Sequence, residues 1–373
     1  MRKLKVATLV GTRPEIIRLS RVIPLFDSHT DHKLVHTGQN SDAGLSDVFF
    51  DDLGLRPPDE YLNVDLASLG SQLGDLFVRL EKFFDVFDPD ALLVLGDTNS
   101  ALGAFLARRR GIPVYHMEAG NRSFDENVPE EINRRMIDHV ADFNLPYNKY
   151  SYQNLLGEGF HPRRMLITGS PLGEIYAHLK EKILESDVLK RLSINESKYF
   201  LVSAHRQENL YPDRRLKALV ETVNVLASQW KIPVIVSTHP RLRDALEKLQ
   251  LELEANVLLS SPFGYLDYNR LQLSAKCVLS DSGTISEESA IMGFPAVTIR
   301  DSMERPEAME TGHIEMCGLE SSSVIPAVSR VTGRNSAQPQ LPDGYEVTNF
   351  SERVLGFVMS TAERHSEWMG LRK

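Results

Sequence analysis

The chain has 373 residues, with 42 Lys and Arg against 51 Asp and Glu, a formal net charge of -9, 42% hydrophobic and 25% charged residues. This is the composition of a globular enzyme, and at roughly 100 to 200 residues per domain the length predicts two domains. The mixed signs and negative balance argue against a nucleic-acid partner, so an anionic ligand needs a local cluster of donors.

Cys277 and Cys317 offer neither a disulfide framework nor a zinc spacing. The opening MRKLKVATLVG has too short an apolar run for a signal peptide and is interrupted by Arg13, Pro14 and Glu15. No apolar run approaches the roughly 18 residues of a membrane span, so a cytoplasmic protein is expected.

Leu4 to Val10 predicts a buried strand. Gly11-Thr12-Arg13-Pro14 then predicts a tight turn into a helix starting at Pro14. Arg13 and Arg18 place two guanidinium groups near that helix start, a pocket suited to a diphosphate. The alternative is a plain helix start with both arginines solvated. KLVHTG predicts the second strand, followed by the polar loop His36–Asn40 with Gln39 in it. ALLVLG ends in Gly96-Asp97-Thr98-Asn99-Ser100 before a helix over Asn99 to Arg110. Asp97 is a common capping type, but Asn99 or Ser100 can cap instead and leave Asp97 open.

PVYHM is followed directly by Glu118 and the small residues Ala119-Gly120. Pro129-Glu130-Glu131 starts a further helix, where first-turn acids are favourable whatever else they do. Asp97, Glu118 and Glu130 on neighbouring strand ends would repel one another, and repulsion that raises one carboxyl pKa yields a proton donor near neutrality. DFNLPY closes this first series.

After Gly169 to Tyr176 the rhythm restarts with YFLVSAH, PVIVSTHP, NVLLSSP, CVLSDSGT and AVTIR, separated by helical periodicity such as LKALVETVNVLASQ. The apolar strands alternating with helices predict an α/β chain with two parallel sheets, each covered on both faces. Ligands in such sheets lie beyond the carboxyl ends of the strands. There the second series carries His205, Arg206, Glu208 and Asn209, then His239 and Arg241. Ser282-Gly283-Thr284 offers amides and hydroxyls to a phosphate. Glu288, a turn further on, suits a vicinal diol, and Glu304-Arg305-Pro306-Glu307 follows the last strand. Ser321 to Val347 is rich in Ser, Pro and Gly and reads as irregular. The expected divisions are 1–170, 171–348 and a helical 349–373 that packs back on the first domain.

GTRPEIIRLS, HTGQN, GDTNS, HMEAGNR, PEEINRR, AHRQEN, SDSGTISEE and ERPEAMETG stand in one order over nearly the whole chain. Together they resemble the non-hydrolysing UDP-N-acetylglucosamine 2-epimerases. The resemblance implies two Rossmann-like domains in a GT-B-like arrangement with a cleft between them, a homodimer, no metal and no nicotinamide. It implies that Arg13, His205, Ser282, Gly283 and Arg305 bind the diphosphate of UDP and Glu288 its ribose, with Gln39 and Thr284 also in the UDP site. Asp97, Glu118 and Glu130 would be the catalytic carboxylates, with Arg18 beside them and His205 assisting departure of UDP.

Three positions depart from the family pattern. Arg18 replaces a usual lysine, which exchanges a compact ammonium for a planar fork. Gly283-Thr284 replaces a double glycine. GQNSDAG lacks the His-Arg-Met pattern with which some members bind a second, activating UDP-sugar, so no such regulation is expected. With IIRLS, HMEAGNR and SAHRQEN, these departures resemble the branch that converts UDP-2-acetamido-2,6-dideoxy-L-talose to UDP-N-acetyl-L-fucosamine for capsule and O-antigen. Rival readings are a UDP-N-acetylglucosamine/UDP-N-acetylmannosamine 2-epimerase, a hydrolysing epimerase, a GT-B glycosyltransferase and a silent UDP-sugar binder.

Overall fold

The computed structural model describes residues 2–39, 50–126, 128–204, 213–237, 246, 248–302, 305–334 and 340–370. The chain forms two compact units, Met1–Ala177 with Glu346–Lys373, and His178–Tyr345. The first division falls inside the helix Leu172–Glu185 rather than in a loop at 170.

The first unit holds strands β1 (Lys5–Val10), β2 (Asp31–His36), β3 (Glu60–Tyr61), β4 (Ala91–Leu95), β5 (Val114–Met117) and β6 (Phe143–Leu145). They form one parallel sheet in the order β3-β2-β1-β4-β5-β6. The second holds β7 (Phe200–Ser203), β8 (Val234–Ser237), β9 (Val257–Ser260), β10 (Cys277–Ser280), β11 (Ala296–Thr298) and β12 (Ile314–Met316), ordered β12-β11-β10-β7-β8-β9. Both sheets share one winding, in which the first strand and the fourth lie side by side and the chain departs from them in opposite directions. Those neighbours, β1 with β4 and β7 with β10, are where a doubly wound sheet opens a crevice at its carboxyl edge.

The continuous apolar runs follow from two covered faces. On β7, Phe200 and Val202 join one core with Leu216, Leu219, Val223 and Leu226 of the helix Asp213–Trp230. Tyr199 and Leu201 point to the other face, with Leu271, Ile285 and Ala290. In the first unit Ala7, Leu9, Leu92 and Val94 pack on Leu76, Leu80 and Phe84 of the helix Leu69–Phe87. That helix spaces its apolar residues one per turn, is capped by Ser68, whose Oγ accepts from the Ser71 amide at 3.0 Å, and ends at Asp88 in the left-handed region. Each such side chain withdrawn from water contributes about 1.5–3 kcal/mol before entropy is counted.

Two expectations are corrected. Ser321–Thr332 is a helix, because Val324, Ala327, Val328 and Val331 recur at helical spacing and are buried, which outweighs the serines and the one hydrogen bond that Pro326 forfeits. The helix expected over Asn99 to Arg110 begins as a 3-10 turn, Asn99–Gly103, and becomes α-helical at Ala104–Arg109. The C-terminal helices Phe350–Thr361 and His365–Met369 belong to the first unit. Tyr115 and Thr361 share a hydroxyl hydrogen bond of 2.7 Å, Phe357 stands edge-on to Phe143, and His365 Nε2 lies 2.8 Å from Asp142. Among the described residues no helix is long and apolar enough to cross a membrane.

Candidate active site

In the first unit the strand ends close on Gly11. A Cβ there would lie 1.9 Å from Ser100 Oγ and 2.4 Å from Thr37 Oγ1, so only glycine admits the 2.7 Å hydroxyl contact between those two residues. Gln39 is tied into the same knot, its side-chain oxygen accepting from the Ser100 amide at 3.0 Å and hydroxyl at 2.8 Å. Arg13 opens the helix Arg13–Leu19 and is half-buried.

Beneath this turn lies Glu15, 1% exposed. Its Oε2 accepts from the Gly11 amide at 2.9 Å and from the Thr12 amide and hydroxyl at 2.8 Å each, while Oε1 accepts from the Thr98 hydroxyl at 2.9 Å. Burial pushes its carboxyl up to about 7 against the downward pull of these donors. The fold therefore keeps a proton that the unfolded chain, near 4.5, gives up. The group favours folding most below that value, and the contribution is lost as pH rises through about 7. Glu15→Gln removes this slope. Between about pH 5 and about pH 8 the difference in melting temperature should shift steadily in favour of the variant, and parallel curves would contradict it.

The carboxylates lie one strand over. Glu118 follows β5 at φ 63°, a left-handed conformation that costs a non-glycine residue on the order of 1 kcal/mol or more. It is held there by its amide on Leu145 O at 3.2 Å and by Arg134, which donates to its carbonyl at 2.9 Å and to its Oε1 at 3.2 Å. Arg134 also pairs with Asp97 Oδ2, and Arg18 pairs with Glu118 Oε2. Arg18, Glu118 and Arg134 are each at most 5% exposed.

Asp97 and Glu118 are thus bridged by one guanidinium and flanked by a second, so the expected repulsion between them is offset by cations. Arg18 is buried rather than solvated, with its guanidinium 5.5 Å from the Tyr147 ring centroid. The cap after β4 is Thr98, whose Oγ1 accepts from the Ala101 amide at 3.3 Å. Neither Asp97, Asn99 nor Ser100 takes that role. Glu130 stands exposed in the first turn of the helix Pro129–Val140, outside this cluster. Glu131 is its buried neighbour and accepts from the Ser123 amide at 2.9 Å.

Below Glu118, His116 bridges Gly96 O at 2.7 Å and Asp138 Oδ1 at 2.8 Å, and Arg122 joins Asp138 to Glu158 at 2.7 Å each. Burial alone would raise the Asp138 carboxyl, but His116 and Arg122 outweigh it and hold it below its ordinary value. This closed network fixes the strand end from which Glu118 projects. Gly120, at φ 78°, lies against Ser151 O, where a Cβ would come within 2.3 Å.

In the second unit the turn after β10 is built from hydroxyls. Ser282 Oγ and Thr284 Oγ1 lie 2.8 Å apart, and Arg305 donates to Gly283 O at 2.5 Å while its Nε meets Glu287 at 2.9 Å. Glu288 is clamped: Oε1 accepts from Thr284 Oγ1 and Oε2 from Gln272 Nε2, both at 2.6 Å. The Gly-to-Thr departure therefore has a structural use, since a glycine at 284 has no hydroxyl to set the carboxylate. His205, with Arg206, Glu208, Asn209, His239, Arg241 and Glu304, lies outside the described residues.

The structure thus gathers Asp97, Glu118 and Arg18 in one cluster, and Ser282, Gly283, Thr284, Glu288 and Arg305 in another. Arg134, Glu15 and Gln272 are the additions. Each sits on a helix face whose partner is distant in sequence, and the adjacent arginines of PEEINRR gave no local sign of which one turns inward.

Two parallel sheets of the same winding, with acids and arginines at their carboxyl edges, define an α/β enzyme of GT-B-like fold. A family model described as UDP-N-acetylglucosamine 2-epimerase matches residues 26–359. A UDP-N-acetylglucosamine 2-epimerase of Methanocaldococcus jannaschii is 35% identical over 336 residues, 87% of this chain and 91% of its own. A Pseudomonas aeruginosa relative, a UDP-2,3-diacetamido-2,3-dideoxy-D-glucuronate 2-epimerase, is 32% identical, with 89% and 93% covered. The structure of UDP-N-acetylglucosamine 2-epimerase from Rickettsia bellii aligns with a TM-score of 0.92 at 40% identity, covering 100% of both chains. The chain belongs to the UDP-N-acetylglucosamine 2-epimerase family and is an isomerase.

Proposed function

We propose that this protein is a non-hydrolysing 2-epimerase of a UDP-linked 2-acetamido sugar, working as a homodimer by elimination and re-addition of UDP. Carbon 2 of such a sugar carries no acidic hydrogen, because no carbonyl activates it. The route around this difficulty is to let UDP leave carbon 1 while a base takes the hydrogen of carbon 2. The products are a 2-acetamidoglycal and UDP; the reverse addition, with protonation of carbon 2 from the opposite face, gives the epimer. Asp97 and Glu118 are the candidate base and acid, with Glu130, exposed in the first turn of the helix Pro129–Val140, as the third candidate. Positioned proton transfer of this type is worth about 10² to 10⁴-fold each. Arg13, Ser282, Gly283, Thr284 and Arg305, with His205, would stabilise the departing diphosphate. Gln39 would steady the adjoining loop, and Glu288 would take the ribose hydroxyls. Arg18 would hold the Glu118 carboxylate in its working orientation.

The observation that carries this reading is the chain Arg18–Glu118–Arg134–Asp97, buried except for the half-buried Asp97, at the carboxyl edge of β4 and β5. It presents two acids, fixed by cations, in a member of an epimerase family. As substrate we favour UDP-2-acetamido-2,6-dideoxy-L-talose, converted to UDP-N-acetyl-L-fucosamine for surface polysaccharide. Support comes from the resemblance of the motifs SAHRQEN, IIRLS and HMEAGNR, together with the departures at Arg18, at Gly283-Thr284 and in GQNSDAG, to that branch. UDP-N-acetylglucosamine is the second reading, favoured by the name of the Rickettsia bellii relative. The Pseudomonas aeruginosa relative, named for a third 2-acetamido sugar, makes family membership insufficient to fix the sugar.

Incubation of each UDP-sugar in deuterium oxide, followed by NMR, tests the proposal. Deuterium at carbon 2 of intact UDP-L-sugar is the expected result. Release of free sugar, or no label without an added acceptor, would replace it by a hydrolase or a transferase.

A further inference from the structure

We propose that Glu15 is a positioning residue for turnover, one carboxylate that sets the loop bearing Arg13 and the loop bearing Asp97 in a common register. The inference rests on the roles of Arg13 and Asp97 given above and adds a residue to them.

A glutamate three residues into a helix ordinarily serves the capping box, where it reaches one backbone amide from a solvated position. Glu15 does more than that motif requires. It takes the Gly11 amide as well as that of Thr12, and its other oxygen is engaged by a hydroxyl from beyond β4, 83 residues along the chain. The Thr98 hydroxyl is committed to the task. Its oxygen already receives the Ala101 amide, so its single proton is left for Glu15.

Both ends of the link flank candidate chemistry: Arg13 follows Thr12, and Asp97 precedes Thr98. The groups that touch the carboxylate are two amides and two hydroxyls, all uncharged. Its upward-shifted titration shows that ionising it at this depth disfavours the fold. A purely structural staple would avoid that with an amide. Ionised, the carboxylate offers acceptors to both loops at once, whereas one end of a glutamine amide, like one oxygen of the protonated acid, is a donor.

Two variants separate this from a packing role. Glu15→Ala frees both loops, and UDP affinity measured by calorimetry should fall at least about tenfold. In an Arg13→Ala background the same substitution should change affinity less than about twofold, because the loop it sets no longer carries the ligand group. Thr98→Val cuts the link to the Asp97 loop, together with the Thr98 cap on the Ala101 amide, and leaves the Gly11 and Thr12 hydrogen bonds to Glu15 in place. It should leave UDP affinity within about threefold of wild type and lower the rate of deuterium entry at carbon 2 by about tenfold or more. Should Glu15→Ala fail to fold, Thr98→Val carries the test alone.

Variants with lower melting temperatures but unchanged affinity and exchange rate would overturn the proposal. So would a Glu15→Ala effect of equal size with and without Arg13. Wild-type affinity in Arg13→Ala alone would instead overturn the reading of Arg13, and the Arg13 half of this inference with it.

Discussion

Glu118→Gln should lose deuterium exchange at carbon 2 by about 10² to 10⁴-fold while UDP still binds. The substitution is nearly isosteric, so the backbone at φ 63° and the Arg134 hydrogen bond to the Glu118 carbonyl have no steric reason to change. What it removes is the negative charge between two buried guanidinium groups, together with the proton-accepting oxygen. Arg134 keeps Asp97, whereas Arg18 is left facing an amide, so some stability should go as well. The discriminating outcome is the split: nucleotide affinity kept, exchange gone. Equal losses in both would assign Glu118 to structure, and retained exchange would remove it from the proton path.

Arg134→Met should be worse, because it acts on both acids. Methionine fills much of the space of the arginine stem but leaves Asp97 and Glu118 without the cation that joins them. Breaking one side of a buried charge pair costs about 3–5 kcal/mol. The Glu118 carbonyl also loses the donor that holds its strained backbone. The urea midpoint should fall with an unchanged slope, and exchange at carbon 2 should fall below that of Glu118→Gln. Arg134→Lys, which restores charge without the two-pronged fork, should recover part of the stability and little of the turnover. A midpoint for Arg134→Met equal to that of wild type would show that the bridge is not needed.

The strand ends were readable because a parallel sheet writes itself as short apolar runs, and because the chemistry of such sheets gathers where each run stops. Glu118 and Asp97 were visible for that reason. Their partner was not. Arg134 differs from Arg135 only in which way it faces, and that is decided by packing against β4 and β5, with no trace in local composition. The same limit explains the carboxylates: spacing alone suggests acids in repulsion, whereas the fold places a cation between them.

Composition misled at Ser321–Thr332, where serines and Pro326 hide a helical apolar stripe. At the other extreme, Thr284 looked like a lost glycine, and the Thr284–Glu288 hydrogen bond is only legible once the turn and helix are in place. Glu15 was in plain view inside a helix-start motif. Its burial, and its link to Thr98, are tertiary facts.

The central claim is that the bond from carbon 1 to UDP breaks during every inversion of carbon 2. It is tested most directly with substrate carrying oxygen-18 in the oxygen that joins carbon 1 to the β-phosphorus. If UDP departs and its terminal phosphate turns before re-addition, label must appear in the non-bridging β-phosphate oxygens of recovered UDP-sugar, along with deuterium entry at carbon 2. Label that stays on the carbon 1 oxygen while carbon 2 inverts would contradict the account.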